Sequence, residues 1–239
     1  MNILLIDKND YTDGPGTVRV YGRRFIHVKE ILSPAVGDSL KCGELGGLMG
    51  LAHVTAMNDE YLEMKVSLTE APPAKIPVNV ILALPRPRVF RRILQNATSM
   101  GVRKIFIINA NRVEKSYWQS PALHDSVIKE QLILGLEQAN DTIPPTVTLC
   151  KSFDIFMKND LPDIIKGTKP ILAHPGAGDH LCPSAGETVT LAVGPEGGFI
   201  QHEVEEFCKF GFGLVGLGKR ILKTETALTA LIARSFPNA

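Results

Sequence analysis

No apolar run in this 239-residue chain approaches the roughly twenty residues needed to cross a bilayer, which excludes a membrane-spanning helix. The start, Met1-Asn2-Ile3-Leu4-Leu5-Ile6-Asp7, is too short and too soon acidic for a signal peptide, so a cytoplasmic protein is expected. The cysteines Cys42, Cys150, Cys182 and Cys208 are scattered without a C-x-x-C pair, and no two histidines stand at H-x-x-x-H spacing. Reduced thiols are expected, with neither a disulfide frame nor a structural metal. An excess of one charge is also missing: the net charge is +1, whereas a general polyanion binder carries a strong basic surplus. Neither G-x-x-x-x-G-K-[ST] nor a clean G-x-G-x-x-G occurs, which weakens ATP and NAD as ligands. There is no internal repeat and no low-complexity tract.

What is there reads as an ordinary soluble protein, 44% hydrophobic and 21% charged, long enough for one large domain or two small ones. Up to about residue 70, turn signals recur at Asp13-Gly14-Pro15-Gly16, Val36-Gly37-Asp38, Gly46-Gly47 and Asn58-Asp59. Between them lie short strand-like runs such as Thr17-Val18-Arg19-Val20 and the alternating Leu62-Glu63-Met64-Lys65-Val66-Ser67-Leu68, which suggests a small barrel. Ala71-Pro72-Pro73-Ala74-Lys75-Ile76-Pro77 is a stiff joint and the best domain boundary. Beyond it the pattern changes. Val78 to Leu84 is continuously apolar, as suits a strand buried on both faces, and strands at 104–109, 146–150, 170–173, 188–193 and 213–217 alternate with helices at 88–100, 123–139, 152–159, 201–210 and 224–236. That alternation predicts a parallel sheet covered on both sides.

Open parallel sheets bind ligands at the carboxyl ends of their strands. Three strand ends carry unusual loops: Ala173-His174-Pro175-Gly176-Ala177-Gly178, Val193-Gly194-Pro195-Glu196-Gly197-Gly198 and Leu217-Gly218-Lys219-Arg220. All lie in the last third of the chain. Charge is clustered locally, with Arg86, Arg88, Arg91 and Arg92 in one group and Arg23, Arg24, His27 and Lys29 in another. On a helix from Arg88, the residues Arg88, Arg91 and Arg92 share one side at i, i+3, i+4, which suits either a solvated face or contact with phosphates.

Taken together, G-P-E-G-G-F (Gly194 to Phe199) and L-G-K-R-I-L-K-T-E-T-A (Leu217 to Ala227) resemble the RsmE family, 16S ribosomal RNA uridine-N3 methyltransferases of the SPOUT superfamily. Supporting matches run along the chain: His27 with Gly37-Asp38, then Arg86, Gln95, Gly101-Val102, Arg112, Glu137-Gln138, Pro145 and His174-Pro175. The resemblance implies an α/β architecture: a PUA-like β-barrel over residues 1–71, and a SPOUT domain over 72–239 whose parallel sheet ends in a deep trefoil knot. It implies S-adenosylmethionine as cofactor, a homodimer with active sites near the subunit interface, and 16S rRNA or the small ribosomal subunit as substrate.

The expected cofactor cradle is Leu172, His174, Gly194, Gly197, Leu217, Gly218, Ile221 and Leu222, a lining poor in charge and rich in glycine that lets main-chain atoms approach a neutral adenine closely. Glu196 and Arg220 are the catalytic candidates, because uridine N3 becomes nucleophilic only as its proton leaves and negative charge spreads to the uracil oxygens. Other roles stay open. Glu196 suits the electrostatics of a helix start, Arg220 suits a structural ion pair, and His174 suits a satisfied strand-end position. Glu225 is expected at the cap of the last helix. RNA contacts are assigned to Arg23, Arg24, Arg86, Arg88, Arg91, Arg92, Arg112 and Lys223; Tyr117 and Trp118 suit base stacking, although packing is favoured. Departures from the family pattern fall on RNA-contacting positions rather than cofactor motifs. The E-Q-x-x-R stretch reads Glu137-Gln138-Ala139-Asn140-Asp141, and Lys223 stands where arginine is usual. Alternatives compete: a non-catalytic RNA-binding or ribosome-assembly protein with a retained pocket, a methyltransferase with a different RNA target, and a nucleotide-dependent oxidoreductase.

Overall fold

The computed structural model describes residues 1–178 and 187–236; Cys182 lies outside the described residues. The chain divides into two units, Met1–Ala74 with Ile133–Pro144, and Lys75–Leu132 with Pro145–Ala239. The first division falls inside the proline joint. The return of Ile133–Pro144 to the first unit is not visible in that joint, because the packing partners are far apart in sequence.

The first unit holds β1 (Leu4–Ile6), β2 (Thr17–Val20), α1 (Gly22–His27), β3 (Ser39–Glu44), β4 (Met49–Met57) and β5 (Leu62–Glu70). The strands form one mixed sheet in the order β1-β3-β4-β5-β2, with β1 parallel to β3 and the other pairs antiparallel. Side chains alternate across a strand. Leu4 and Ile6 therefore join Val18, Phe25, Cys42, Val54 and Met64 on one face, while Ile3 and Leu5 join Met49 and Leu136 on the other. That is why so short an apolar start is buried throughout. Burial pushes the Cys42 thiol up to about 12, so it acts as a core hydrophobe rather than a nucleophile. The helix α1, continued as a wider π turn over Val28–Leu32, interrupts a region whose sequence reads as strands and turns. Its inward residues Phe25 and Val28 are spaced i, i+3.

The second unit begins with β6 (Val78–Ala83), α2 (Pro87–Ser99), β7 (Lys104–Ile108) and α3 (Asp125–Ala139), the last of which extends into the first unit's segment. It continues with β8 (Thr146–Cys150), α4 (Phe153–Ile155), α5 (Leu161–Ile165), β9 (Thr168–Ala173), β10 (Thr188–Val193), α6 (Gln201–Lys209), β11 (Gly213–Val215) and α7 (Thr224–Ser235). All six strands are parallel, in the order β11-β9-β10-β6-β7-β8, and the central β6 is buried at every position. On α2, Phe90, Ile93, Leu94 and Ala97 are buried at i, i+3, i+4, i+7, while Arg88, Arg91 and Arg92 are exposed. The helix expected over 152–159 instead runs to Ile165 through a π turn at Phe156–Asp160, where the Leu161 N–H reaches the Phe156 carbonyl. Pro162 accounts for this. A proline inside the helix supplies no N–H and crowds the carbonyl four residues back, and a wider turn relieves both.

Candidate functional site

β11, β9 and β10 are neighbours and parallel, so their carboxyl ends lie together along one edge. The three glycine-bearing loops leave from that edge and enclose one cleft of about 260 Å³. Its walls include His174, Gly194, Glu196, Gly197, Leu217, Gly218, Arg220, Ile221 and Leu222, so most of the sequence-expected site residues are brought together. Leu172 is the exception. It is wholly buried one residue before the end of β9, and the half-buried Ala173 faces the cleft instead.

The loop after β10 is held rigidly for physical reasons that its sequence spells out. The Gly198 N–H donates to the Pro195 carbonyl at 2.8 Å, and Gly198 has φ +72°, which only glycine adopts without strain. Phe199 closes the motif by packing on Phe207 of α6, ring centroids 5.2 Å apart, and Phe207 in turn meets Phe212 at 4.9 Å and Phe153 at 5.8 Å. Such aromatic pairs contribute about 1 kcal/mol each beyond area burial. Glu196 is exposed on the cleft, and its Oε1 accepts the Arg86 N–H at 3.0 Å, tying this loop to the start of α2. Its other oxygen makes no hydrogen bond among the described residues. The loop after β9 is zipped onto β11's exit: the His174 N–H donates to the Val215 carbonyl at 2.9 Å, and the Gly216 N–H to the Gly178 carbonyl at 3.2 Å. β11 therefore ends at Val215 rather than Leu217, because Gly216 bonds the loop instead of β9. Gly216, a residue the sequence reading passed over, allows this approach; a Cβ there would overlap the Ala177 carbonyl oxygen.

Arg220 is exposed at the rim and makes no hydrogen bond or ion pair among the described residues, so it is not held as a structural ion-pair partner there. Ile221 is 87% exposed and lines the cleft only at its outer edge. Lys223 precedes α7 as its N-terminal flanking residue and is exposed. Glu225 is not an N-cap. It sits in the first turn of α7 and binds the Arg92 guanidinium at 2.8 Å, linking α7 to α2.

The expected RNA-contacting arginines separate into groups. Arg86, Arg88 and Arg91 are exposed, and their side chains make no ion pair among the described residues. Arg112 lines the cleft and donates to the Gly197 carbonyl, which places it at the loop after β10. Arg23 clasps Glu137 through two bonds of 2.9 and 2.7 Å, and the Glu137 side chain is 3% exposed. Arg24 clasps buried Asp10 at 2.6 and 2.8 Å and also donates to the Leu5 carbonyl at 2.7 Å. Both pairs are bidentate and well oriented, so these arginines stabilise the first unit. Truncating one member of a buried pair leaves a desolvated charge behind. Arg24→Ala is expected to lower unfolding free energy by about 3 kcal/mol, read by denaturant titration, while RNA affinity of the folded fraction changes little. Unchanged stability with weakened RNA binding would return Arg24 to the RNA surface. Trp118 donates to Asn109 Oδ1 at 2.9 Å and packs with Tyr117 on the core, the expected packing role.

Comparison with known proteins bears on this geometry. Residues 72–235 match the family described as RNA methyltransferase domain. The chain is 31% identical over 248 residues to Ribosomal RNA small subunit methyltransferase E of Treponema pallidum, covering 100% of this chain and 92% of that protein. Against Ribosomal RNA small subunit methyltransferase E 1 of Borreliella burgdorferi it is 26% identical, covering 96% and 95%. In fold it is similar to the crystal structure of a Ribosomal RNA small subunit methyltransferase E from Neisseria gonorrhoeae bound to S-adenosyl methionine, with a TM-score of 0.73, 21% identity and coverage of 99% and 97%. By the extent of the domain match and by identity along its whole length, the chain belongs to the RsmE family of ribosomal RNA small subunit methyltransferases.

Proposed function

We propose that this protein transfers a methyl group from S-adenosylmethionine to N3 of a uridine in 16S rRNA. The observation that carries the reading is the convergence of three glycine-rich strand ends on one cleft with the guanidinium of Arg220, which has no partner among the described residues, at its rim. A lining of main-chain atoms, Leu217, Leu222 and glycine fits a neutral adenine and a thioether chain, and Gly216 permits an approach that a side chain would block. The cradle is read as His174, Gly194, Gly197, Leu217, Gly218, Ile221 and Leu222, and Arg112, which lines the same cleft, is read with them.

When bound, S-adenosylmethionine supplies the methyl as a sulfonium electrophile. The chain's task is alignment and charge management. The free oxygen of Glu196 takes the N3 proton of uridine, while its other oxygen stays on the Arg86 N–H and fixes the carboxylate's direction. Arg220 offsets the negative charge that grows on the uracil oxygens as that proton leaves. Arg86, Arg88, Arg91 and Lys223 contact phosphates, giving affinity that falls with salt. We read the first unit's sheet as a PUA-like barrel and the last third of the chain as a SPOUT trefoil knot. The working form is a cytoplasmic homodimer in which a second copy covers the exposed Ile221 and Leu222.

The test is incubation with S-adenosylmethionine and 16S rRNA or small subunits lacking the modification, followed by nucleoside mass spectrometry. New 3-methyluridine is the expected product. A folded protein that binds the cofactor yet methylates no rRNA would point to a retained pocket in a non-catalytic RNA-binding protein.

A further inference from the structure

Glu203 is a buried carboxylate close behind the G-P-E-G-G-F loop, 3% exposed at the third position of α6. It makes no ion pair among the described residues. One oxygen accepts the Ile200 N–H at 2.9 Å, and the other accepts the Asn111 N–H at 2.6 Å. The first bond is ordinary for a helix start, where a third-position Glu reaches back to the flanking N–H. The second is not. Asn111 lies on the loop after β7, so a single carboxylate joins that loop to the exit of G-P-E-G-G-F. The next residue, Arg112, runs along Gly197, where an added Cβ would come within 3.1 Å of Arg112 Cδ, and its guanidinium donates to the Gly197 carbonyl.

We propose that Glu203 is a positioning residue for the cofactor cleft that acts through Arg112. By fixing the Asn111 peptide it aims Arg112 at the Gly197 carbonyl, and that bond holds the turn from Gly194 to Gly198 in its ligand-ready shape. The inference rests on the reading of this cleft as the S-adenosylmethionine site. It departs from a purely stabilising role, which would require the bond to Ile200 but not the chain of contacts through Asn111 and Arg112.

Glutamine discriminates, since it offers one acceptor and one NH₂; two N–H donors cannot both be satisfied, and one of them faces another donor. The experiment is a double-mutant cycle in S-adenosylmethionine affinity, by calorimetry, with unfolding temperature measured alongside. Glu203→Gln is expected to weaken binding about tenfold, and Arg112→Ala about tenfold or more. The double variant should bind within about twofold of Arg112→Ala alone, because the path through Arg112 is already cut. The unfolding temperature should fall by a similar amount on adding Glu203→Gln to either background. Glu203→Asp, which keeps the charge but is one methylene too short to reach both amides, runs the same cycle if the glutamine variant does not fold. Losses that multiply to about a hundredfold in the double variant, or a Glu203→Gln protein that binds as wild type, would overturn the proposal alone. A wild-type protein that takes up no S-adenosylmethionine would overturn the reading of the cleft and the proposal with it.

Discussion

Arg220→Ala should lower kcat by about 100- to 1000-fold while leaving S-adenosylmethionine affinity within about threefold of wild type. The split follows from where the residue sits. Arg220 lies on the rim, exposed, with no ion-pair or hydrogen-bond partner among the described residues, so its loss opens no buried charge and removes no fold contact. With uridine N3 as the proposed acceptor, the ground state is a neutral imide, whereas the transition state carries growing negative charge on its oxygens. An interaction made only with that charge lowers the barrier without tightening either ligand. Arg220→Lys keeps the charge but loses the planar fork, and an intermediate rate is expected from it. Single-turnover methylation with saturating cofactor checks both variants. Full rate in the alanine variant would remove Arg220 from the chemistry, and a large loss in cofactor affinity would make it a binding residue.

Gly216→Ala is expected to weaken S-adenosylmethionine binding by about 30- to 100-fold, equivalent to about 2–3 kcal/mol of forced displacement. The new Cβ would overlap the Ala177 carbonyl, and a backbone oxygen cannot swing aside as a side-chain tip can. Relief must come from parting the loop after β9 from the exit of β11. That breaks the bond from the Gly216 N–H to the Gly178 carbonyl and moves His174 and Leu217 away from each other. Gly213→Ala supplies the control on the same strand. Its Cβ would meet nothing within 4 Å, so affinity should stay at wild type. Equal affinity in both variants would mean that the two loops do not jointly shape the ligand's seat.

Much of the second unit is legible in the sequence. Val78–Ala83 is apolar without interruption because it sits at the middle of a parallel sheet, and the alternation that follows it places every later strand. The three glycine-edged strand ends were legible too, and the family resemblance joined them into one pocket; that β11, β9 and β10 are neighbours is visible only in the sheet order. Three features were not. The helix at Gly22–His27 lies in a stretch crowded with turn signals, and its two inward residues are too few to impose a helical period. Arg23 and Arg24 read as a basic patch, but their carboxylate partners stand 114 and 14 residues away, and nothing local marks such a pairing. Glu137 is the instructive partner. It is one of the positions that match the family pattern, the departure in that stretch falling on Asp141, and it completes a structural pair that takes Arg23 out of the basic patch. Glu203 escaped notice for the same reason, because its second hydrogen bond reaches across 92 residues to Asn111. Local chemistry set the elements and the glycine corners; the long-range polar bonds decided which charges were left for substrate.

The central claim is that main-chain atoms of three strand-end loops, clamped by Gly216 and Arg112, hold a methyl donor beside Arg220. A structure of this chain crystallised with S-adenosylmethionine tests that most directly. The account expects the ligand between the loops at His174, Gly197 and Leu217, with its adenine on backbone groups and its methyl turned toward Arg220. Ligand bound elsewhere, or seated with its methyl turned away from the Arg220 rim, would contradict it.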